Sequence, residues 1–217
     1  RAPAFSPDGG RLAVTVILDP AVVPSGYGIY LILTKSGQAS RLPGDVGAPL
    51  RPLDWSPDGR SLAFRSSGAN ALRILDLESG HTHDLGTDVR SPTAWSRDGR
   101  WIARITPAGV WLVSPGGQPT RQVSKQSLIG SDAPAHCFSA DGSRLYLLRT
   151  EGDAAKLEEL LLSSGELRTL TTLPGRVPPS NFNRGMRLHP DGKSLVFTSG
   201  EVTSTYWLVD GVTAKLR

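Results

Sequence analysis

Asp54-Trp55-Ser56-Pro57-Asp58-Gly59-Arg60-Ser61-Leu62 is the stretch on which the fold turns. An Asp-Gly pair between two β-prone runs is a hairpin signal, because glycine accepts the positive φ that a tight turn requires. The same setting recurs as Ala4-Phe5-Ser6-Pro7-Asp8-Gly9, Ala94-Trp95-Ser96-Arg97-Asp98-Gly99, Cys137-Phe138-Ser139-Ala140-Asp141-Gly142 and Arg187-Leu188-His189-Pro190-Asp191-Gly192. The register holds on both sides of the turn. Three residues before each Asp stands a large apolar residue (Phe5, Trp55, Trp95, Phe138, Leu188), and four residues after it an aliphatic one (Leu12, Leu62, Ile102, Leu145, Leu195).

Successive Asp positions lie 50, 40, 43 and 50 residues apart, the period of propeller blades. A second hairpin follows in each copy. Its first strands are expected at 29–33, 72–77, 110–113, 157–162 and 206–209, followed by turns at Gly37, Gly80, Gly116-Gly117, Gly165 and Gly211. Residues 154–162 could pass as a helix on propensity, but they occupy the third-strand slot of copy four and are read as strand. Each copy is thus four antiparallel strands, and one such sheet cannot bury both its faces alone. Radial stacking buries them. The expected fold is therefore all-β: a β-propeller of four-stranded blades, five in this chain, in one domain over 1–217, with blades at approximately 1–45, 46–88, 89–127, 128–173 and 174–217.

Composition narrows the partners. A length of 217 residues can bury a core without a disulfide or metal staple, and the lone Cys137 excludes an internal disulfide framework. The net charge of +4 comes from 24 basic and 20 acidic residues scattered along the chain, not the concentrated patch that nucleic acid requires. The longest apolar run, Leu12 to Leu18, falls far short of the ~20 residues of a membrane span. No nucleic-acid partner and no membrane insertion are expected.

The Ser-Pro-Asp-Gly turn, the aliphatic strand after it and the apolar strand ending before a Gly turn resemble the TolB-like, WD-repeat-like propeller repeat of bacterial proteins. The resemblance covers almost the whole chain, with departures at Arg97, Ala140 and His189. It implies the fold. Because propellers of this kind usually have six or more blades, and the five copies share one phase, it also favours a part of a larger ring over closure by five blades. TolB-like propellers occur in envelope assembly proteins, which leans the expected compartment towards the periplasm. They also occur as the sensor half of bacterial serine/threonine kinases, whose closing blade copy five resembles, and ahead of the hydrolase domain of prolyl-oligopeptidase-like serine peptidases.

Candidate sites are few. The five turn Asp residues could form a carboxylate ring, but their repetition points to turn chemistry. His81, His83 and Asp84 form a His-x-His-Asp cluster on an expected outer strand, with no third ligand placed nearby. Cys137 and His136 are expected inside the first strand of copy four. No Gly-x-Ser-x-Gly, His-Glu-x-x-His or phosphate-binding Gly loop is present. Catalytic, metal-binding and cofactor-binding residues are therefore assigned as none. Function concentrates where a repeat is broken, and two insertions break it, at residues 19–27 and 174–184. Tyr27, Arg176, Phe182 and Arg184 are the expected partner-binding residues, since aromatic and Arg side chains dominate interface hot spots. The expected function is a non-catalytic binding, scaffolding or sensor module for a protein, peptide or small ligand. The alternative is the gating propeller of a prolyl-oligopeptidase-like peptidase. Among inner-strand positions only Asp54, His136 and Arg187 carry ionisable groups suited to an axial site.

Overall fold

A computed structural model describes residues 3–19, 21, 26–43, 49–66, 71–87, 89, 93–116, 118–129, 135–174, 186–189 and 192–196. These residues form strands and turns only, and no helix among them is long and apolar enough to cross a membrane. Four sheets have four strands each, running antiparallel in sequence order from the inside outwards. The first comprises β1 (Ala4–Phe5), β2 (Arg11–Ile17), β3 (Tyr27–Leu33) and β4 (Ala39–Arg41). The second comprises β5 (Pro49–Trp55), β6 (Ser61–Ser66), β7 (Leu72–Asp76) and β8 (Thr82–Asp84). The third holds β9 (Ala94–Trp95), β10 (Ile102–Thr106), β11 (Gly109–Val113) and β12 (Arg121–Ser124). The fourth holds β13 (Ala135–Phe138), β14 (Arg144–Glu151), β15 (Ala154–Leu161) and β16 (Leu167–Pro174). Of the fifth blade, the described strands are β17 (Arg187–Leu188) and β18 (Leu195–Val196). The expected strand at 206–209 lies outside the described residues.

The Asp-Gly turns set one register throughout. Phe5 faces Leu12, Trp55 faces Leu62, Trp95 faces Ile102, Phe138 faces Leu145 and Leu188 faces Leu195. The inner strands β1, β5, β9, β13 and β17 pack against one another in series. Each seam between blades is a separate apolar core. Trp55, Leu62 and Phe64 of blade two meet Ala13 and Ile29 of blade one. Ala63 and Ile74 meet Ile102 and Trp95 of blade three. Ala103 and Leu112 meet Phe138 and Leu147 of blade four, and Ala135 and Leu148 meet Met186 of blade five. The Trp55 indole adds a polar stitch across the first seam, donating from Nε1 to the Ala4 carbonyl at 2.8 Å. The Arg11 guanidinium stands 4.9 Å above the same ring. The outermost strands β4 and β8 are exposed along their length.

Residues 154–161 are strand, and the packing explains why helix propensity loses. The segment is hydrogen-bonded on both sides, to β14 and β16. Its two acidic residues are buried but find partners: Arg149 donates to Glu158 through Nε at 2.5 Å and Nη2 at 2.9 Å, and Arg144 to Glu159 at 3.3 Å. Bidentate pairing of this kind offsets the desolvation of a carboxylate.

Three substitutions test this packing by urea denaturation. Trp55→Ala is expected to cost about 3–5 kcal/mol, as for a buried aromatic, whereas the register-equivalent Phe5, which is solvent-exposed, should change stability by only about 0.5 kcal/mol when made Ala. Arg149→Ala, which strands the buried Glu158 carboxylate, should cost about 3–5 kcal/mol.

Candidate functional site: the axial cavity

The repeated carboxylates can be assigned first. Asp8, Asp58, Asp98 and Asp141 each accept the hydroxyl of the Ser two residues earlier, at 2.5 to 2.6 Å. Each also accepts the backbone N–H two residues later, at 3.0 to 3.1 Å. The same Ser oxygen accepts the N–H of the residue that opens or precedes the next strand, as at Arg11, Ser61, Trp101 and Arg144. The Gly N–H closes the turn on the Ser carbonyl. Hydrogen bonds from the Ser hydroxyls hold all four carboxyls below the usual range, Asp141 down to about 2. These residues bind their own turns. Asp191 lies outside the described residues.

Strand alternation then separates two environments at adjacent positions. The large apolar residue of each inner strand faces the preceding blade or the open end, and the residue before it faces the following blade at the axial edge of the sheet, Ala94 joining the core with blade four and Cys137 that with blade five. In blades two to five those axial residues are Asp54, Ala94, Cys137 and Arg187, and all four line one cavity of about 400 Å³. All five blades contribute to it: Pro7 from the first; Trp55 and Pro57 from the second; Trp95 and Arg97 from the third; Phe138, Ser139 and Ala140 from the fourth; Leu188 and His189 from the fifth. A groove of about 560 Å³ between blades two and three shares Pro57, Trp95 and Arg97 with it and runs outward past Asp58, Asp98 and Gly116.

The cavity is electrically uneven. Arg187 Nη2 lies 3.4 Å from Asp54 Oδ1, an ion pair reaching from blade five to blade two. The Arg187 side chain is half exposed, that of Asp54 only 18%. Asp54 Oδ2 accepts the Trp95 backbone N–H at 3.2 Å. Burial nevertheless pushes the Asp54 carboxyl above its usual range, against the pull of Arg187. Burial also pushes the Cys137 thiol up to about 12, so it is a neutral, poorly nucleophilic group near neutral pH. The Trp95 indole Nε1 is buried without a hydrogen-bond partner, in contrast to its Trp55 counterpart.

Of the residues expected to bind a partner, Arg176, Phe182 and Arg184 lie outside the described residues. Tyr27 is half-buried, opens β3 and pairs with Ile17. That is the β2–β3 end of its blade, opposite the Asp-Gly turns that frame the axial cavity. His81 and His83 are exposed beside β7, and Asp84 is paired with Arg73 at 2.7 Å. Among the described residues no three His, Cys, Asp or Glu side chains are grouped to hold a metal ion. His136 is buried on the face of β13 opposite to Cys137, with Nε2 3.4 Å from the Ala103 carbonyl. The pairing of Asp54 with Arg187 was not foreseen. Its signal was present: the residue before the large apolar position runs Ala4, Asp54, Ala94, Cys137, Arg187, with charge in two copies only.

Blades, turns and axial cavity together define a TolB-like β-propeller fold. TolB from Acinetobacter baumannii superposes on 93% of this chain with a TM-score of 0.70 at 18% identity, the match covering 49% of the TolB chain. The Cps50 (Swd1) β-propeller domain from Myceliophteria thermophila matches 91% of this chain and 61% of that domain, with a TM-score of 0.65 at 17% identity. In sequence, the chain is 31% identical over 212 residues to the uncharacterized peptidase YuxL of Bacillus subtilis (strain 168). That match takes in 94% of this chain but spans only 30% of the relative's length. No protein-family model matches the sequence.

The turn carboxylates predict an acid limb to stability. A carboxyl lowered in the folded state contributes stability that is complete above its unfolded value and is lost as pH falls through its folded value. For Asp141 that window runs from 3.8 down to about 2. Ser139→Ala, removing the largest cause of the shift, should make acid unfolding, followed by circular dichroism, begin at a higher pH than in the unsubstituted chain.

Proposed function

We propose that the chain is a non-catalytic binding module that receives a short peptide segment or a small charged ligand in the axial cavity. One observation carries this reading. The repeat places small, uncharged side chains at the axial position in three blades and departs from them with Asp54 and Arg187, which meet at 3.4 Å inside the cavity. A carboxylate held in a desolvated site with its pKa raised is a cost to the fold, and such costs cluster at functional sites. The surroundings suit a ligand that is partly apolar: Trp55, Trp95, Phe138 and the prolines supply contact area, and the volume is that of a small-molecule or peptide site. The groove past Pro57 and Trp95 gives an extended ligand a path outwards.

A second reading is favoured by the sequence relationship to a protein named as a peptidase. In it, the chain is the propeller of a larger peptidase, and the axial opening admits peptide to a catalytic domain elsewhere in the polypeptide. The readings differ in one place. The second requires a nucleophile-bearing segment, such as Gly-x-Ser-x-Gly, outside residues 1–217, and peptide hydrolysis by the longer polypeptide.

Binding is tested by retaining a randomised tetrapeptide pool on the immobilised chain. Arg187→Ala and Asp54→Asn are expected to lower retention by about tenfold or more, the loss of one hydrogen bond to a charged group, while Tyr27→Ala leaves it unchanged. Retention that depends on Tyr27 and is indifferent to Arg187 and Asp54 would move the site to the opposite face.

A further inference from the structure

Arg104 breaks the packing pattern of the seams. The position six after the turn Asp is filled by Phe64 in blade two and Leu147 in blade four, and both are fully buried in the core shared with the preceding blade. In blade three the same position is Arg104. It lies on the same face of β10 as Ile102, which joins the core shared with blade two. The guanidinium therefore enters the seam between blades two and three. Neither Arg104 nor its neighbour Trp111 lines the axial cavity or the groove that leads out of it.

Local structure is arranged around this charge. Arg104 pairs directly with Trp111 across β10 and β11, and its Cζ stands 5.6 Å from the centre of that ring. Such stacking occupies one face of a guanidinium and leaves its in-plane N–H groups for an acceptor. On the blade-two side the chain passes as Gly86, with φ at 120°, and a side chain there would collide with Arg104 Nη1. The Arg104 Nε is buried and meets no acceptor. Among the described residues Arg104 forms no ion pair and no hydrogen bond through its side chain. Burial lowers its pKa and no carboxylate opposes the shift. The half-buried Arg149 of blade four is the contrast, because its hydrogen-bonded partner Glu158 raises its pKa. Arg65 faces the same seam from β6, two residues past Ala63, and is engaged: its Nη1 donates to the Val89 carbonyl at 3.2 Å.

We propose that Arg104, backed by Trp111 and given room by Gly86, is a carboxylate-binding site in the seam of blades two and three. As a packing residue it is worse than the leucine or phenylalanine of the neighbouring blades, since it gives up hydration and gains no hydrogen bond. Charge balance selects the ligand. One guanidinium without a counter-ion is neutralised by one monoanion, whereas a phosphate dianion would leave a negative charge in a half-buried place. Shape agrees, because a planar carboxylate meets in-plane N–H groups edge to edge while the indole covers the face.

Nuclear magnetic resonance of the 217-residue chain tests the site. The probes are sodium acetate, a capped peptide with one central glutamate, and inorganic phosphate, each against sodium chloride at equal ionic strength. Acetate or the peptide should shift the Arg104 Nε–H and Trp111 indole N–H signals saturably. Tighter binding of the peptide assigns the carboxylate to a polypeptide, and tighter binding of acetate assigns it to a small acid. Arg104→Lys keeps the charge without the planar fork and should weaken binding by about tenfold or more, the loss of one hydrogen bond to a charged group. Arg104→Leu, which restores the residue of blade four, should abolish both shifts and raise the urea midpoint, the trade expected of a binding residue. A silent titration, a response to phosphate alone, shifts confined to the axial Trp95, or retained binding in Arg104→Leu overturns the proposal. A lower urea midpoint for Arg104→Leu overturns it as well, since the arginine then serves the fold.

Discussion

A four-stranded sheet with apolar side chains on both faces cannot stand alone in water, and that constraint organises everything else in this molecule. Two-sided burial requires a neighbour on each side, and copies related by a constant rotation about an axis provide it. Ala63 and Phe64 are adjacent on β6 and both fully buried, one towards blade three and the other towards blade one. No single sheet with one wet face could bury both. The register that achieves this is set at the Asp-Gly turn, where one Ser oxygen, one carboxylate and one glycine with φ near 70° fix both ends of the hairpin. A shift by one residue would exchange the faces of Asp54 and Trp55 and turn the indole away from the core it shares with blade one.

The carboxylates of the repeat divide by environment. Those in the turns are exposed, surrounded by donors and held in the ionised form. Asp54 is half-buried, accepts the Trp95 N–H and a distant guanidinium, and has its pKa raised by desolvation. The same residue type thus reports structure in one place and strain in the other, and the sign of the shift separates them. Repetition is the second discriminator. A group present in every blade serves what every blade must do, which is to turn. A group present in one blade serves something the ring does once.

The blades were legible in the sequence because their determinants are local. Asp-Gly, the apolar residue three before it and the aliphatic residue four after it all lie within eight residues, and each strand that follows is hydrogen-bonded to the one before. Even the helix-prone 154–161 segment was placed correctly by its slot in the repeat. The axial pair was not legible, because Asp54 and Arg187 are 133 residues apart and meet only when the ring brings blades two and five to one axis. The list of inner-strand charges contained both residues, but with His136 on equal terms. Only the alternation of β13 shows that His136 faces blade three, with Nε2 3.4 Å from the Ala103 carbonyl, while Cys137 faces blade five at the cavity edge. The length of an insertion is visible in sequence, whereas a change of side chain at a constant position is visible only once the copies are aligned.

That alignment also bears on what the axial groups can do. In the cavity, a thiol, a carboxyl, an imidazole and two guanidinium groups come from four blades, an assortment that on composition alone could suggest nucleophilic chemistry. The electrostatics run the other way. Burial holds the thiol near 12, so a thiolate is scarce at neutral pH. What the cavity retains is a half-exposed guanidinium tethered at 3.4 Å and carried by an inner strand, not a loop. Under the binding role proposed above, a fixed donor among aromatic walls suits an acceptor group on a ligand.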